Sequence, residues 1–456
     1  MLKKIDVKND ILRHLNFVIL MTLMCLLVFV RITLSLNIPV IFFIFISAFI
    51  ALFCSREENI TLMCSFIPLS AFFQYRWALG VVALIYVLRI RKIRVFYFLP
   101  LLCMMVWELL HAGRSGVSLY SFFQEFTELF ALTVVLSDSN IDYSDGFPLR
   151  FFSYMTVLGS VLCFISLVKF YGFSLAALTR FGTLNVALDQ ETLFQGLFNA
   201  NTISYVCMIA ISGLLLLRFY EKDIKTDTFV LYFLIFIILL TQSKSAVICV
   251  AVLYISYFVL SSHKLTISAI GKAIASSMFL ITCFLVFLDK YINTLIGRFM
   301  VDDITSGRIG VTLFYHQHLI STVSNWLYGI GLYSYTKQIE RIYGSLGLYF
   351  PGSVMFLKGE MVYLPAHNNV QEILVVWGLV GIFLCAFLFY MMLRHVHRIH
   401  KEIPKANCVT FFIMLVYGLQ GQLLSNGVVL LSLLYSLVCL EYKPFVLERN
   451  NSQDSI

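Results

Sequence analysis

The sequence PAHNNVQEILVVWGLVGIFLCAFLFYMMLR, from Pro365 to Arg394, decides the fold class of this chain. Its first residues are polar, and almost all of the remainder is apolar. Because about 20 apolar residues cross the hydrocarbon core of a bilayer, the run predicts a membrane-spanning helix. His367, Asn368 and Asn369 then stand at the start of that helix, at the boundary with water. The free N–H groups of a helix start favour an anion, and an imidazole beside them suits chemistry on a phosphate-linked substrate.

The composition indicates a helical membrane protein. Of the 456 residues, 60% are hydrophobic and only 13% are charged, and the mean hydropathy is +0.88. Apolar runs recur along the whole length, whereas a membrane barrel would alternate apolar and polar residues. All eleven cysteines lie in or beside apolar runs and no CxxC spacing occurs, so we expect no disulfide framework and no metal site. The net charge of +8 fits membrane topology better than nucleic-acid binding.

The apolar runs predict an all-α fold with about fourteen transmembrane helices, or about twelve if two short runs do not cross the membrane. The predicted spans are roughly 15–36, 38–54, 60–74, 77–90, 95–113, 118–137, 150–171, 199–218, 227–241, 243–260, 265–288, 368–393, 407–425 and 427–441. We divide the chain into N-terminal transmembrane helices at 1–288, a large loop at 289–366 and C-terminal transmembrane helices at 367–456.

Basic residues predict the orientation, because short cytoplasmic loops are enriched in Lys and Arg. Four basic clusters fall on one side of the fourteen-span arrangement, at Lys3 to Arg13, Arg89 to Arg94, Arg218 to Lys225 and Arg394 to Lys405. Both termini are then cytoplasmic. The connection 138–150 is acidic, which is unusual for that side.

Two long polar segments then lie on the outer side, at 172–198 and 289–366. Long loops of mixed polar and aromatic residues are usually functional. Within the second, Arg308–Trp326 has apolar residues at roughly helical spacing. It predicts an amphipathic helix on the membrane surface, with Trp326 as its anchor.

Four polar segments on the outer side are candidates for a site. They are His367 with Asn368 and Asn369, the segment Ser306-Gly307-Arg308, the hairpin Thr241–Ser245 that contains Lys244, and Arg180 together with Asn199 and Asn201. Polar residues between membrane spans are costly and tend to be functional. Structural alternatives are interfacial placement for His367, snorkelling for Lys244, headgroup contact for Arg308 and helix capping for Asn201.

These segments resemble those of the bacterial O-antigen ligase and Wzy polymerase superfamily. TQSKSA at 241–246 is similar to its T-x-S-R-G/S-A segment, and FNANTIS at 198–204 to its N-x-N segment. SGR at 306–308, followed by the glycines of 329–331, resembles its sGR…G-x-G segment. The run from His367 is similar to its H-N-x9-G-x-x-G signature, with Gly378 and Gly381 in place. Arg180 and Gly196 also stand in an Arg-x15-Gly spacing that resembles a polymerase loop.

The resemblance covers roughly residues 170–395 and implies a GT-C-like, metal-independent glycosyltransferase of the bacterial inner membrane. Such an enzyme takes glycan from an undecaprenyl-pyrophosphate carrier at the periplasmic face and uses no cofactor. The resemblance makes His367 catalytic and Arg308 a pyrophosphate ligand. Its second arginine corresponds to Lys244, a departure, because lysine binds a phosphate as a point charge without the bidentate fork.

The chemistry of these residues fits that activity. The acceptor hydroxyl loses a proton as it attacks, and His367 can take that proton. The leaving group is a diphosphate, whose charge Arg308, Lys244, Arg180 and the helix start can stabilise without a metal. Asn201, Asn368 and Asn369 complete the predicted substrate-binding set.

Acidic residues also lie within predicted spans, namely Glu108, with His111 nearby, and the pair Glu125 and Glu128. Acids at membrane depth are expensive unless they are paired or protonated. A structural pair with an Arg or His is the favoured interpretation, and a proton path is the alternative.

The leading functional hypothesis is a polymerase of lipid-linked repeat units, making O-antigen or capsule. Expected partners are the lipid-linked oligosaccharide, membrane lipid, a chain-length regulator and a flippase. A ligase that transfers glycan to lipid A-core shares every motif. A flippase or other transporter is the alternative from another class, although it would need a polar path through many spans. A membrane sensor or scaffold would not need His367.

Overall fold

The computed structural model describes the greater part of the chain. The described residues are 13–34, 36, 38–115, 119–139, 141, 144–172, 200–221, 225–241, 243–261, 316, 319–331, 334, 354–357, 360–363, 369–400, 405–418 and 427–442.

Fourteen helices and one hairpin form within these residues. The helices are α1 (Leu15–Leu34), α2 (Val40–Phe53), α3 (Arg56–Leu69), α4 (Tyr75–Val87), α5 (Val95–Ser115), α6 (Leu119–Ser137), α7 (Phe147–Tyr171), α8 (Ala200–Tyr220), α9 (Lys225–Thr241), α10 (Lys244–Ser261), α11 (Val323–Tyr328), α12 (Asn369–His400), α13 (Lys405–Gly418) and α14 (Gly427–Glu441). The strands β1 (Val354–Leu357) and β2 (Glu360–Tyr363) pair antiparallel between α11 and α12.

Thirteen of the fourteen described helices, all except α11, overlap predicted spans. The predicted span 265–288 lies outside the described residues. Five of the helices, α1, α5, α7, α8 and α12, contain stretches long and apolar enough to cross a membrane. Large apolar side chains also cover the outer surface, as at Phe45 and Phe53, which are 66% and 71% exposed. Such a surface is stable where hydrocarbon rather than water surrounds it. The helical character and the apolar surface are compatible with a helical membrane protein.

The large loop differs from its prediction. The predicted helix 308–326 is not continuous, because the described helix α11 begins only at Val323, where the side chain of Thr322 accepts the N–H of Asn325 and caps it. Residues 319–322 are not helical. The structure also adds the hairpin β1–β2, which apolar periodicity did not predict.

Helix α8 lies at the centre of the bundle. Within its apolar stretch 83% of the residues are buried, and it packs against α7, α9, α10, α13 and α14. In contrast, 39% of the corresponding stretch of α1 is buried, and α1 packs against α2 and α7. The core is therefore built around α8, and α1 lies at the periphery.

Charged residues gather at one end of the bundle, which we call the ion-pair end. Arg56 pairs with Asp138 at 3.4 Å, Arg94 with Glu441 at 2.9 Å, and Arg150 with both Glu221 at 2.8 Å and Asp227 at 3.0 Å. These contacts join the starts of α3, α5, α7 and α9 to the ends of α6, α8 and α14. The odd-numbered helices of this set start at this end, and the even-numbered helices finish there. This is the order expected if each predicted span crosses the membrane in turn. We call the opposite end the loop end, since α8, α10 and α12 start there.

The ion-pair end explains the acidic connection 138–150. Asp138 is fully buried beside Arg56, and Asp145 accepts from His14 at 3.2 Å. The same imidazole contacts Glu58 at 2.9 Å. The acids therefore neutralise neighbouring cations, and the acidic connection is compatible with the basic side of the chain.

This arrangement makes stability depend on pH through His14. Burial alone lowers the pKa of His14, but hydrogen bonds to Asp145 and Glu58 outweigh it and raise the pKa to about 9. The raised value stabilises the fold below about pH 6.5, and the contribution is lost as the pH rises through about 9. Between about pH 7 and about pH 9 we expect a loss on the order of 2 kcal/mol.

Thermal unfolding in detergent, followed by tryptophan fluorescence, checks this expectation. The midpoint temperature of unfolding should be lower at pH 9 than at pH 7 in the wild type. In His14→Gln it should be nearly the same at the two pH values. An equal fall in both proteins would assign the pH dependence to other groups.

Candidate functional site

Most of the predicted site residues lie outside the described part of the chain. His367, Arg308, Arg180 and Asn368 are among these. The others mark helix starts: Asn369 begins α12, Lys244 begins α10 and Asn201 is the second residue of α8. The described residues around these starts show how the motif segments are held.

Helix α12 is broken nine residues after its start. Gly378 has φ 68° and ψ −165°, a conformation available essentially to glycine only. The break separates a short first segment, 369–377, from the long remainder of the helix. The sequence predicted an uninterrupted helix here, because glycine within an apolar run carries no signal of its backbone angles.

The segment after α11 fills this break. The N–H of Ile330 donates to the carbonyl of Val375 at 3.0 Å, and that of Gly331 donates to Val376 at 2.8 Å. Unpaired carbonyls at membrane depth are costly, so a break is tolerated where protein groups satisfy them. The glycines of 329–331 and the signature glycine Gly378, far apart in sequence, thus form one structural unit.

The two backbones approach too closely for side chains. A Cβ on Gly378 would lie 2.4 Å from the carbonyl oxygen of Leu327, and one on Gly329 would lie 2.3 Å from that of Val376. Gly329 also has a positive φ of 75°. Both positions therefore require glycine for space and for conformation.

Helix α5 braces the same unit from the other side. The indole N–H of Trp107 donates to the carbonyl of Trp377 at 3.2 Å, and the indole N–H of Trp377 donates to Glu108. Both ring nitrogens of His111 lie 2.9 Å from a carbonyl oxygen, Nδ1 from that of Trp107 and Nε2 from that of Tyr328. Glu108 and His111 are buried and hold the break and the end of α11 in place.

Two other motif segments meet around Tyr417 of α13. Its hydroxyl lies 2.9 Å from Oγ of Ser204 in α8 and 3.2 Å from Oγ of Ser243 in the 241–245 hairpin. Tyr205 stacks on Tyr417 with ring centroids 5.3 Å apart and reaches Ser432 at 2.5 Å. Tyr417 thus joins the first turn of α8 to the start of α10. It stands in an apolar run, so no sequence pattern signals this role.

The segments that carry the resemblance therefore form two clusters. The break cluster joins 327–331 to 375–378, and the tyrosine cluster joins 202–205 to 243. Helices α5 and α8 each have their other end at the ion-pair end, through Arg94 and Glu221. Both clusters thus lie toward the loop end, where α12 begins.

The first turn of α12 is buried and contains an acidic residue, which limits its ability to bind an anion by itself. Glu372, in its first turn, is fully buried, and Asn369 and Gln371 are 5% and 7% exposed. An acidic residue in the first turn interacts favourably with the helix dipole. A diphosphate bound near this start therefore needs cationic side chains as well as the helix N–H groups.

The acids within the spans have structural partners. Glu128 is 1% exposed and accepts from Arg76 Nε at 2.6 Å and from the Tyr75 hydroxyl at 2.8 Å. The predicted structural pairing is confirmed for Glu128. Glu108 binds Trp377, as described above, and the side chain of Glu125 lies outside the described set.

In comparisons with known proteins, the chain matches no family model and no curated sequence. The resemblance to the ligase and polymerase superfamily therefore stays a prediction.

Proposed function

We propose that this protein is a membrane glycosyltransferase that polymerises lipid-linked oligosaccharide repeat units. One observation carries the proposal: the segment 329–331 is hydrogen-bonded to the carbonyls just before the break at Gly378. Two segments of the suspected signature, far apart in sequence, are therefore in direct contact. The chain reaches His367 two residues before the start of α12. An imidazole at that point can serve an acceptor hydroxyl while the sugar is in water and the carrier's tail is in the membrane.

The remaining site assignments belong to this proposal. Arg308, Lys244 and Arg180 supply positive charge to the diphosphate, and Asn201, Asn368 and Asn369 bind substrate without a metal or cofactor. The proposed location is the bacterial inner membrane, with the loop end in the periplasm. A chain-length regulator and a flippase are the proposed partners.

A transporter is the second candidate, because discontinuous helices also occur at transporter binding sites. Here the break is occupied: the N–H groups of Ile330 and Gly331 and the indole of Trp107 take the carbonyls of residues 375–377. Transporter breaks leave such groups to ions or substrates. The occupied break favours the transferase.

The glycan profile of a deletion strain tests the proposal. A single repeat on the lipid core indicates a polymerase, whereas a core without glycan indicates a ligase or a flippase. Purified protein supplied in detergent with lipid-linked repeat units and lipid A-core separates the ligase from the flippase, because a ligase joins the two substrates whereas a flippase forms no new product. An unchanged glycan profile would refute all three.

Cysteine accessibility tests the orientation. In a cysteine-free background, Ser345→Cys should react with an impermeant maleimide in intact spheroplasts, because the large loop is proposed to be periplasmic. Lys222→Cys, in the connection between α8 and α9, is the matched control and should react only after permeabilisation. The opposite labelling pattern would invert the topology.

A further inference from the structure

The candidate diphosphate ligand Lys244 carries its charge in a way that needs support from other residues. An arginine fixes phosphate oxygens with the planar fork of its guanidinium, whereas a lysine has a compact charge on a flexible four-carbon stem. The lysine itself therefore supplies little geometric specificity, and the position of its charge depends on the backbone that carries it. Residues that hold the hairpin 241–245 are thus candidates for a positioning role in the proposed reaction.

The hairpin is tied to a distant helix through the residue next to Lys244. Two of its side chains are described, those of Thr241 and Ser243. Thr241 donates to a carbonyl within its own helix, α9. Ser243 directly precedes Lys244, and its Oγ lies 3.2 Å from the hydroxyl of Tyr417 on α13. Tyr417 therefore anchors the backbone from which Lys244 extends.

The same hydroxyl also reaches the beginning of α8. Its oxygen lies 2.9 Å from Oγ of Ser204. Ser204 stands three residues after Asn201, and residues three apart share a face of a helix. Tyr417 is thus bonded to two segments that each carry a candidate ligand, Asn201 in one and Lys244 in the other.

Burial keeps this junction in one arrangement. Tyr417 and Ser243 are 5% and 7% exposed, and Ser204 is fully buried. The ring of Tyr205 stacks on that of Tyr417 and restricts its movement. Water does not readily replace a hydrogen bond that is lost in such surroundings, so the three hydroxyl groups hold one another in place.

We propose that Tyr417 is a positioning residue for the diphosphate carrier. Its hydroxyl holds Ser243 against Ser204 and thereby sets where the charge of Lys244 stands, without touching the carrier itself. The inference rests on the proposed function, because that proposal makes Lys244 a diphosphate ligand. It adds a residue of α13, outside the segments that carry the resemblance.

Binding of undecaprenyl pyrophosphate by the purified full-length protein in detergent tests this inference. Lys244→Ala should raise the dissociation constant by about tenfold or more, since it removes a charge-assisted contact. Tyr417→Phe keeps the ring and removes only the hydroxyl. It should raise the dissociation constant by a smaller factor, about fivefold, because Lys244 is still present but is no longer held in place.

The double variant Tyr417→Phe/Lys244→Ala separates positioning from a general structural role. Substitutions that act on one and the same interaction are not additive. The double variant should therefore bind the carrier as Lys244→Ala does, without a further loss. A merely structural effect of Tyr417→Phe would instead weaken binding by the same factor with and without the lysine.

Tyr257→Phe is the matched control. Tyr257 is 6% exposed, and its hydroxyl is hydrogen-bonded to Thr410, so it joins the same two helices, α10 and α13. It stands thirteen residues after Lys244, which is about 20 Å along the helix. Tyr257→Phe should lower the unfolding temperature about as much as Tyr417→Phe does, but it should bind the carrier as wild type.

Ser243→Ala decides the question if Tyr417→Phe does not fold. It removes the hairpin's half of the junction and leaves the contact of Tyr417 with Ser204 in place. Because the backbone before Lys244 loses its anchor in both variants, Ser243→Ala should also weaken carrier binding about fivefold.

Three results would overturn the inference. They are a wild type without saturable carrier binding, equal dissociation constants for Tyr417→Phe and Tyr257→Phe, and an equal effect of Tyr417→Phe with and without Lys244. A wild type that binds the carrier, with variants that follow the expected pattern, would support the positioning role even if no polymer formed. That last result would contradict the proposed polymerase activity alone.

Discussion

His367→Ala is expected to reduce formation of glycan polymer by about 10²–10⁴-fold, the usual contribution of a general acid or base. The imidazole is proposed to accept the proton of the attacking hydroxyl, and the proposed diphosphate ligands Arg308 and Lys244 would favour its neutral form. In the sequence His367 stands two positions before Asn369, the first residue of α12. Its replacement should leave folding and membrane insertion unchanged.

The measurement uses purified protein, lipid-linked repeat units and separation of products by length. His316→Ala is the matched control, since His316 is an exposed histidine of the same large loop and should retain wild-type activity. His367→Gln should retain a trace of activity if positioning of the hydroxyl contributes. Normal chain lengths from a normally expressed His367→Ala protein would exclude His367 as the base.

Gly378→Ala is expected to destabilise the protein and to lower activity by more than about tenfold. A side chain at this φ costs about 1–3 kcal/mol. The added Cβ would also lie 2.4 Å from the Leu327 oxygen and 2.5 Å from the N of Gly329. Overpacking of this kind costs typically about 1–3 kcal/mol more, and each 1.4 kcal/mol corresponds to about tenfold in an equilibrium.

Gly172→Ala separates the two causes. Gly172 has nearly the same backbone, with φ 76° and ψ 164°, but a Cβ there has no atom of the described residues within 4 Å. It should show only the conformational cost, without loss of activity. Thermal unfolding and polymer formation are measured for both variants. Equal effects in the two would mean that the contact between 327–331 and the break does not matter.

Sequence reasoning located the helices well, because hydropathy is a local property. A run of apolar residues must be helical in a membrane, where each backbone group needs a partner within its own segment. Boundaries agreed to within a few residues for α1, α8 and α9, for example. The basic clusters before α5 and after α8 were predicted to share a side, and the ion pairs of Arg94 and Glu221 place the start of α5 and the end of α8 at the same end of the bundle.

The structure describes only part of the predicted site. The glycines of 329–331, Gly378 and the polar hairpin at 243 stood out by spacing, and the structure joins them in two clusters. His367, Arg308 and Arg180 stay predictions, since they lie outside the described residues. Tyr417 gave no signal, because a tyrosine in an apolar run looks the same whether its hydroxyl joins two helices or lies at an interface.

The sequence by itself determined the helical fold class, the positions of the apolar helices and the polar segments between them. Only the tertiary structure decided that α12 breaks at Gly378, that Glu128 pairs with Arg76, and that His14 bridges two acids. The physical reason is the range of the interactions. Apolar burial acts on each residue separately, whereas a hydrogen bond or an ion pair requires a partner that only the packing of distant helices brings within reach.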